Sequence, residues 1–181
     1  MMLKKELNFF KTNKSTRQVV FKEVPITDLF QSPIKTGAYH VSSILDEGTT
    51  PLISCVSDNG GIEGFFKIEP DKLLKNMITV ACDGMPLTSF YHYYGFVTKD
   101  NVLICNPTIK YRYATLLFLT NQINSLRWRF SYGRKCYENK VHKIKIFVPL
   151  IDKGKIDEDY IDSLFKSTET WNIFEKIYNK Q

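Results

Sequence analysis

Two short apolar segments rich in β-branched residues lie in the middle of the chain, and each leads into a turn sequence. The first covers residues 52–56 and precedes an Asn-Gly pair at position 59; the second covers residues 77–82 and precedes an Asp-Gly pair at position 83. Both pairs are strong hairpin signals, because their residues tolerate a positive φ at the turn. The pattern therefore predicts two hairpins, at residues 51–67 and 77–98.

Other periodic segments predict the remaining strands and helices. Apolar residues alternate over residues 18–27, which predicts a strand, and alternation over residues 141–148 predicts an amphipathic strand with one basic edge. Residues 70–76 are compatible with a short helix. A helix is predicted over residues 113–126, where apolar side chains recur at helical spacing: Ala114, Leu117, Phe118 and Ile123.

The two ends of the chain differ from the middle. Residues 1–17 show no clear period and are predicted to form a mobile arm. A helix is predicted from Asp157 onward, with a seam of apolar side chains at Ile161, Leu164, Trp171, Phe174 and Tyr178. Thr168 interrupts the seam, so a kink is expected there. We divide the chain into a domain at residues 1–156 and a spacer or partner helix at 157–181.

The seam of the C-terminal helix predicts a contact with another protein. One globular domain covers one end of such a helix, which leaves Trp171, Phe174 and Tyr178 as an exposed apolar patch. The expectation is self-association or a partner contact through residues 160–180. The alternative is that the helix folds back onto its own sheet.

Composition limits the class of protein. With 181 residues, of which 43% are hydrophobic and 14% aromatic, the chain has enough apolar material for one globular domain. No apolar run approaches the roughly 18 residues that span a bilayer, and the first residues lack a signal-peptide core. The four cysteines form no Cys-x-x-Cys pair, which argues against a zinc site: Cys55, Cys82, Cys105 and Cys136. The first three lie in or just after apolar strand-like runs, so they are predicted to be buried thiols in a reducing cytoplasm.

The net charge of +6 is concentrated in two segments. Residues 1–22 contain six Lys or Arg and one Glu, and residues 127–145 contain seven Lys or Arg and one Glu. These segments therefore carry +5 and +6, and the rest of the chain carries −5. Local positive charge is what a phosphate-binding face requires. Solvated lysines explain the first segment equally well, whereas arginines interleaved with aromatic residues in the second favour phosphate binding.

Specific motifs occur in a fixed order along the chain. The first hairpin segment carries Pro51, Ile53, Ser54, Asn59-Gly60 and Gly64-Phe65, and the second carries Ile78-Thr79-Val80-Ala81, Asp83-Gly84 and Ser89-Phe90-Tyr91. After them come an apolar run at 102–104, a helix at 114–123, an aromatic and basic segment at 127–134, an edge strand at 143–148 and Gly-Lys-Ile-Asp at 154–157.

This series, from about Val19 to Tyr160, resembles the target-recognition domain of restriction-modification specificity proteins. These are the S subunits of type I enzymes and the specificity domains of type IIB and IIG enzymes. The resemblance implies an α/β (α+β-like) fold: one target-recognition domain with a twisted, mostly antiparallel sheet, a few helices and a C-terminal helix. It also implies that helices next to such a domain hold methyltransferase subunits.

The sequence offers no complete catalytic motif. The nearest match to the Asn/Asp-Pro-Pro-aromatic motif of the family's partner methyltransferases is Asn106-Pro107-Thr108, which lacks the second proline and the aromatic residue. No glycine-rich cofactor loop follows a predicted strand. A nuclease would need a carboxylate pair near a lysine, but Pro70-Asp71 lies far from Glu138-Asn139-Lys140. We therefore expect no methylation, no cofactor and no metal.

Recognition of DNA fits the basic segment better. In an extended chain, alternate side chains would bury three rings on one face: Trp128, Phe130 and Tyr132. The cations would then face outward, where arginine can pair bidentately with phosphate or with guanine. The candidate DNA contacts of this segment are Arg127, Arg129, Tyr132, Arg134 and Lys135. The alternative is that the rings are only core and the arginines only solvated.

Three further groups are candidate DNA contacts. Ser57 and Asn59 lie at the first hairpin tip, where Asn59 could pair with adenine but more simply holds the turn. Arg112 precedes a predicted helix whose N-terminus favours phosphate. The last group is four successive ring side chains, of which at least two are expected to be exposed because neighbours on a strand face opposite ways: Tyr91, His92, Tyr93 and Tyr94.

The resemblance gives the expected function. It implies sequence-specific recognition of double-stranded DNA by a non-catalytic, cytoplasmic specificity subunit or half-subunit. The implied partners are an adenine methyltransferase subunit, a restriction subunit, and a second copy of this chain through the C-terminal helix. The alternative is an interaction module that keeps the fold but does not read DNA.

Overall fold

The computed structural model describes residues 19–131, 133–151 and 154–178; the predicted arm at residues 1–17 and Tyr132 lie outside the described residues. The strands are β1 (Val20–Pro25), β2 (Lys35–Thr36), β3 (Glu47–Ile53), β4 (Ile62–Phe66), β5 (Met77–Ala81), β6 (Ser89–His92), β7 (Val97–Thr98), β8 (Val102–Cys105) and β9 (Lys145–Leu150). The helices are α1 (Ile26–Leu29), α2 (Tyr113–Asn124), α3 (Glu138–Val141), α4 (Glu158–Lys166) and α5 (Glu169–Tyr178).

The strands form three small sheets. A four-stranded antiparallel sheet has the order β2-β8-β5-β6, and β1 pairs with β9 in an antiparallel ribbon. A third sheet has the order β4-β3-β7, in which β3 and β7 are parallel. The fold is therefore the predicted α/β type with mostly antiparallel pairing. In the part of the chain that is described, no helix is long and apolar enough to cross a membrane.

Both predicted hairpins are confirmed. β3 pairs with β4 and β5 pairs with β6, each antiparallel. Asn59, Gly60 and Gly61 have φ values of 46°, 65° and 77°, and Gly84 has a φ of 63°. Residues that tolerate positive φ thus stand where the chain reverses.

One main core lies between the four-stranded sheet, α2 and β9. From α2, the side chains of Ala114, Leu119 and Ile123 are fully buried against Ile78 and Val80 of β5. Each buried Leu or Ile stabilises the fold by about 1.5–3 kcal/mol relative to exposure. The helix predicted at residues 113–126 therefore packs on one face of the sheet. Cys82 and Cys105 are buried free thiols, as predicted, and Cys136 is buried as well; Cys55, predicted to be buried, is only half-buried.

The strand predicted over residues 141–148 is shorter than expected. Val141 belongs to α3, where its amide donates to Tyr137, and the amide of Ile144 donates to Val141. β9 begins only at Lys145. The predicted alternation is present from Ile144 to Val148, both of which are buried. The residues before Ile144 form a helical turn instead of a strand.

The C-terminal segment contains two helices, α4 and α5, with the predicted interruption at Thr168. The hydroxyls of Ser167 and Thr168 donate to the carbonyls of Leu164 and Phe165, at 2.8 and 2.7 Å, and end α4. Asp157 caps the start of α4 by accepting the amide of Tyr160 at 3.2 Å.

The described part of the seam, Ile161, Leu164 and Trp171, packs on the domain's own core, so the expected exposure of Trp171 is wrong. Ile161 is fully buried, and Trp171 is only 4% exposed. The Trp171 ring stacks on Tyr113 of α2, with centroids 5.0 Å apart and planes at 9°. Leu164 packs at the edge of the same core. The side chains of Phe174 and Tyr178 lie outside the described residues.

Candidate nucleic-acid interface

Four connecting segments meet at one end of the sheets. The amide of Cys136, after α2, donates to the carbonyl of Cys82 in the β5–β6 turn at 3.1 Å. The amide of Cys82 in turn donates to the carbonyl of Asn101 in the β7–β8 turn at 3.0 Å. The thiol of Cys55, after β3, donates to the same Asn101 carbonyl at 3.0 Å. Residues far apart in sequence are thereby placed on one surface.

The most basic of these segments is residues 127–135, here termed the basic loop. Both of its ends are tied to the β5–β6 turn. Arg127 Nη2 lies 3.5 Å from Met85 Sδ, and Lys135 Nζ lies 2.5 Å from Asp83 Oδ1. Phe130, between these ends, packs against the main core. The loop therefore lies on a rigid support.

The conformation of the basic loop corrects the expectation of an extended chain with buried rings. Residues Arg127–Arg129 form a turn of 3₁₀ helix. The amides of Arg129 and Phe130 donate to the carbonyls of Leu126 and Arg127, at 3.0 and 2.9 Å, so the backbone continues to turn after α2. Trp128 is 81% exposed as a result. The exposed ring could have been found by applying a helical period, which sets Trp128 opposite Leu126 and Phe130.

The charges of the basic loop divide into two groups. Within the described part of the chain, Arg127, Arg129 and Arg134 form no salt bridge with a carboxylate. Lys135 is paired with Asp83, and the hydrogen bond to that carboxylate raises the pKa of Lys135 above its ordinary value. Among the described residues, three guanidinium groups therefore lack a carboxylate partner, whereas Lys135 is paired.

The first hairpin tip lies beside this surface. A Cβ added to Gly84 would lie 3.0 Å from the Cys55 carbonyl, so the β5–β6 turn directly contacts the chain leading to Ser57. Ser57 and Asn59 are exposed. The positive φ of Asn59 shows that this residue also helps to form the turn, as the simpler interpretation predicted.

His92 is not available for DNA contact, which corrects its assignment as a candidate. Its ring is 1% exposed, with Nε2 2.8 Å from Thr79 Oγ1 and Nδ1 3.0 Å from the Tyr94 hydroxyl. Strand β6 is covered by α2 on one face and by the β3–β4 turn on the other, where Phe90 lies against Gly61. His92 is thus buried, whereas Phe90 and Tyr91 of the same strand are half-buried.

The tyrosines beside His92 are half-buried, so the expectation that at least two of these rings are exposed is wrong. Tyr93 lies edge-on to Tyr94, with centroids 5.2 Å apart. The Tyr91 hydroxyl donates to Asn76 Oδ1 at 3.1 Å, and Tyr91 lines a shallow cavity of about 340 Å³ at the start of β5. That end of the sheet is opposite to the β5–β6 turn, so Tyr91 does not join the basic loop.

Arg112 is used inside the protein, which corrects its assignment as a phosphate contact. Its guanidinium lies 2.7 Å from Asp159 and 2.8 Å from Asp162, both in α4. The N-terminus of α2 is occupied as well, because the Arg112 amide and the Thr115 hydroxyl donate to Glu158 Oε2 at 2.8 and 2.7 Å. Carboxylates of the protein thus occupy the position expected for a phosphate, and Arg112 joins α4 to α2.

The burial of His92 predicts a loss of stability in acid. Burial lowers the pKa of His92 from 6.5 to about 3. Between those values the unfolded chain binds one proton more than the folded protein, so stability falls as the pH falls below 6.5. The expected slope reaches at most about 1.4 kcal/mol per pH unit. Urea unfolding at pH 7, 6, 5 and 4 measures it.

Two variants identify the group responsible. His92→Gln retains hydrogen-bonding atoms and has no titrating group, so its free energy of unfolding should depend less on pH than that of the unmodified protein. His40→Gln removes an exposed histidine whose ring pairs with the exposed carboxylate of Asp100, and because exposed pairs contribute little, it should change the dependence much less than His92→Gln. Equal slopes in all three proteins would contradict the role assigned to His92.

The domain presents arginines without a carboxylate partner among the described residues, together with an exposed aromatic ring, on converging loops. This is the type of surface that binds nucleic acids. The family model for the type I restriction modification DNA specificity domain matches residues 18–178. The chain belongs to this family, whose members act as the specificity subunits of type I restriction-modification systems.

Solved specificity subunits share the fold. The S subunit of a type I system from M. genitalium superposes with a TM-score of 0.62 at 18% identity, over 88% of this chain and 42% of that one. The HsdS subunit from Thermoanaerobacter tengcongensis gives a TM-score of 0.52 at 10% identity, over 93% and 45%. A chain from a structure on complex assembly and conformational transition of the type I R-M system superposes with a TM-score of 0.57 at 11% identity. The match covers 93% of this chain and 43% of that one.

This chain therefore spans less than half the length of the solved chains it matches. No curated protein sequence matches it.

Proposed function

We propose that this chain recognises a DNA sequence on behalf of a type I restriction-modification complex and catalyses no reaction itself. The observation that carries the proposal is the basic loop. Three unpaired arginines project from a segment fixed at both ends to the β5–β6 turn. Arginine forks pair with phosphate oxygens and with guanine, so this arrangement supports both docking and base recognition. Membership of the specificity-domain family supports the same function.

The recognition surface that we propose is smaller than the sequence alone suggested. It consists of the basic loop and the neighbouring hairpin tip, with these candidate contacts: Ser57, Asn59, Arg127, Arg129 and Arg134. Lys135 contributes mainly by fixing the loop to Asp83. A Cβ added to Gly60 at the hairpin tip would lie 3.8 Å from the Tyr94 hydroxyl, and Tyr93 packs edge-on against Tyr94.

We propose that this domain supplies one half of a specificity subunit. Solved specificity subunits are more than twice as long as the part that this chain matches. A second recognition domain would complete the subunit beside an adenine methyltransferase and a restriction subunit. The buried seam of Ile161 and Trp171 is used within the domain, so a partner of α5 would contact its other face, where Ile173 is 62% exposed.

The proposed function predicts DNA binding that weakens steeply with salt. Each phosphate neutralised by a cation contributes about −0.9 to the slope of log K against log salt. With about four to six such contacts, affinity should fall about 10²- to 10³-fold between 50 and 200 mM salt. Fluorescence anisotropy with a labelled duplex measures this slope. Selection from a random duplex pool tests whether one sequence is enriched.

The same titration tests the other parts of the proposal. Addition of S-adenosylmethionine should leave the DNA affinity unchanged, and no methyl group should reach the duplex. Methylation by the purified chain would show that it is an enzyme. Absence of binding even at 50 mM salt would contradict DNA recognition and favour an interaction module.

A further inference from the structure

Trp128 is the most exposed large hydrophobic side chain in the described part of the molecule, with 81% of its surface accessible. Single exposed apolar residues are common on protein surfaces, so exposure by itself does not identify a site. Trp128 differs because the backbone on both sides of it is fixed. Its role depends on that support and on the charges next to it.

The support comes from residues on either side of the indole. Leu126 and Phe130 pack against the main core, and the amide of Phe130 closes the turn by donating to the Arg127 carbonyl at 2.9 Å. Arg127 is further held against Met85 of the neighbouring turn, at 3.5 Å. The backbone that carries Trp128 therefore loses little conformational freedom when a ligand binds, which favours affinity.

The charged residues of the basic loop that carries Trp128 are all positive. Arg127 and Arg129 flank it in sequence, and Arg134 follows on the same loop, none with a carboxylate partner among the described residues. An aromatic ring between cations matches a nucleic-acid strand, in which flat base faces alternate with phosphates. A protein partner would instead need an apolar pocket surrounded by several carboxylates.

We infer that Trp128 stacks on a base of the bound DNA while Arg127 and Arg129 hold the adjacent phosphates. An apolar ring that stacks in a duplex must separate one base from its neighbour. Pyrimidine–purine steps unstack most easily, so the contact adds a preference for such a step at one position of the target. This inference rests on the proposed DNA recognition and specifies one of its contacts.

The chain contains two tryptophans, which permits a direct optical test. Trp171→Phe retains an aromatic ring against Tyr113 and leaves Trp128 as the only indole. Its fluorescence should be quenched as duplex DNA is added. In the otherwise unmodified chain, Trp128→Ala should weaken affinity about 5- to 150-fold, the range for loss of one stacked base, and Trp128→Phe should restore most of it.

Salt dependence separates stacking from charge. Trp128→Ala should reduce affinity at every salt concentration with an unchanged slope, because it removes no cation. Arg129→Ala should reduce the slope of log K against log salt by about 0.9. A set of duplexes that each carry a pyrimidine–purine step at a different position should be compared. At one position the step should raise the affinity of the unmodified chain but not that of Trp128→Ala.

The outcomes distinguish this inference from the function on which it rests. DNA binding by the unmodified chain with no quenching, and equal affinity of Trp128→Ala, would overturn the stacking role and leave DNA recognition intact. No DNA binding at low salt would overturn both. If Trp128→Ala binds DNA normally but no longer binds the methyltransferase subunit, the indole is a protein contact and the inference is wrong.

Discussion

Charge reversal of the three unpaired arginines in the basic loop is expected to abolish DNA binding. In the variant Arg127→Glu, Arg129→Glu, Arg134→Glu, up to three phosphate contacts are lost and each becomes a repulsion. Because phosphate contacts supply most of non-specific affinity, we expect a decrease of more than about 100-fold at 100 mM salt. Fluorescence anisotropy with the same duplex measures the change. The substituted side chains lie at the surface, so the melting temperature should change little.

A matched variant tests whether the position of the charge matters. Lys67→Glu, Lys72→Glu, Lys155→Glu changes the net charge from +6 to 0, as the arginine variant does. These lysines are exposed and outside the basic loop; Lys67 follows β4, at the opposite end of its hairpin from Ser57. The lysine variant should lose affinity only several-fold. Equal losses in the two variants would show that net charge, and not the basic loop, governs binding.

Truncation of Trp171 is expected to be the most destabilising single change in the C-terminal helices. The ring is 4% exposed and lies between Tyr113 and Phe165, at centroid distances of 5.0 and 5.5 Å. Replacing a buried aromatic side chain with alanine costs about 3–5 kcal/mol, through lost burial and the cavity left behind. Trp171→Ala should therefore lower the free energy of unfolding by that amount in urea titrations.

Ile173 is the control, because it lies on the same helix and is 62% exposed. Ile173→Asp should change the free energy of unfolding by about 0.5 kcal/mol or less. Sedimentation of both variants then tests the association proposed for the outer face of α5. Dissociation by Ile173→Asp alone would support that contact. Dissociation by Trp171→Ala without loss of stability would show that the seam, and not the outer face, binds the partner.

Residues close together in the sequence account for much of the fold. The positive φ that Asn59, Gly60 and Gly84 adopt is a local property of these residues, so both hairpins could be predicted from short motifs. The apolar period of α2 and the interruption at Thr168 likewise depend on neighbours within one or two turns. The excess of arginine in the basic loop is visible in the sequence without any knowledge of the fold.

The use of each polar or aromatic side chain depended on contacts between distant parts of the chain. Arg112 and Arg129 are both exposed arginines, but only the first meets carboxylates, in a helix more than 40 residues away. Trp128 and Trp171 also differ only in their surroundings: Tyr113 covers one ring and nothing among the described residues covers the other.

The sequence by itself therefore determined the hairpins, helix α2 and the C-terminal helices, the local excess of positive charge and the resemblance to specificity domains. Steric preferences of the backbone and the spacing of apolar residues act over a few positions, which is why these features are visible in a single chain. Only the tertiary structure decided that His92 is buried, that Arg112 is paired and that Ile161 and Trp171 of the C-terminal seam face inward. Burial and ion pairing are set by the packing of segments that are distant in sequence. The spacing of apolar residues within one segment does not predict which other segment will cover it.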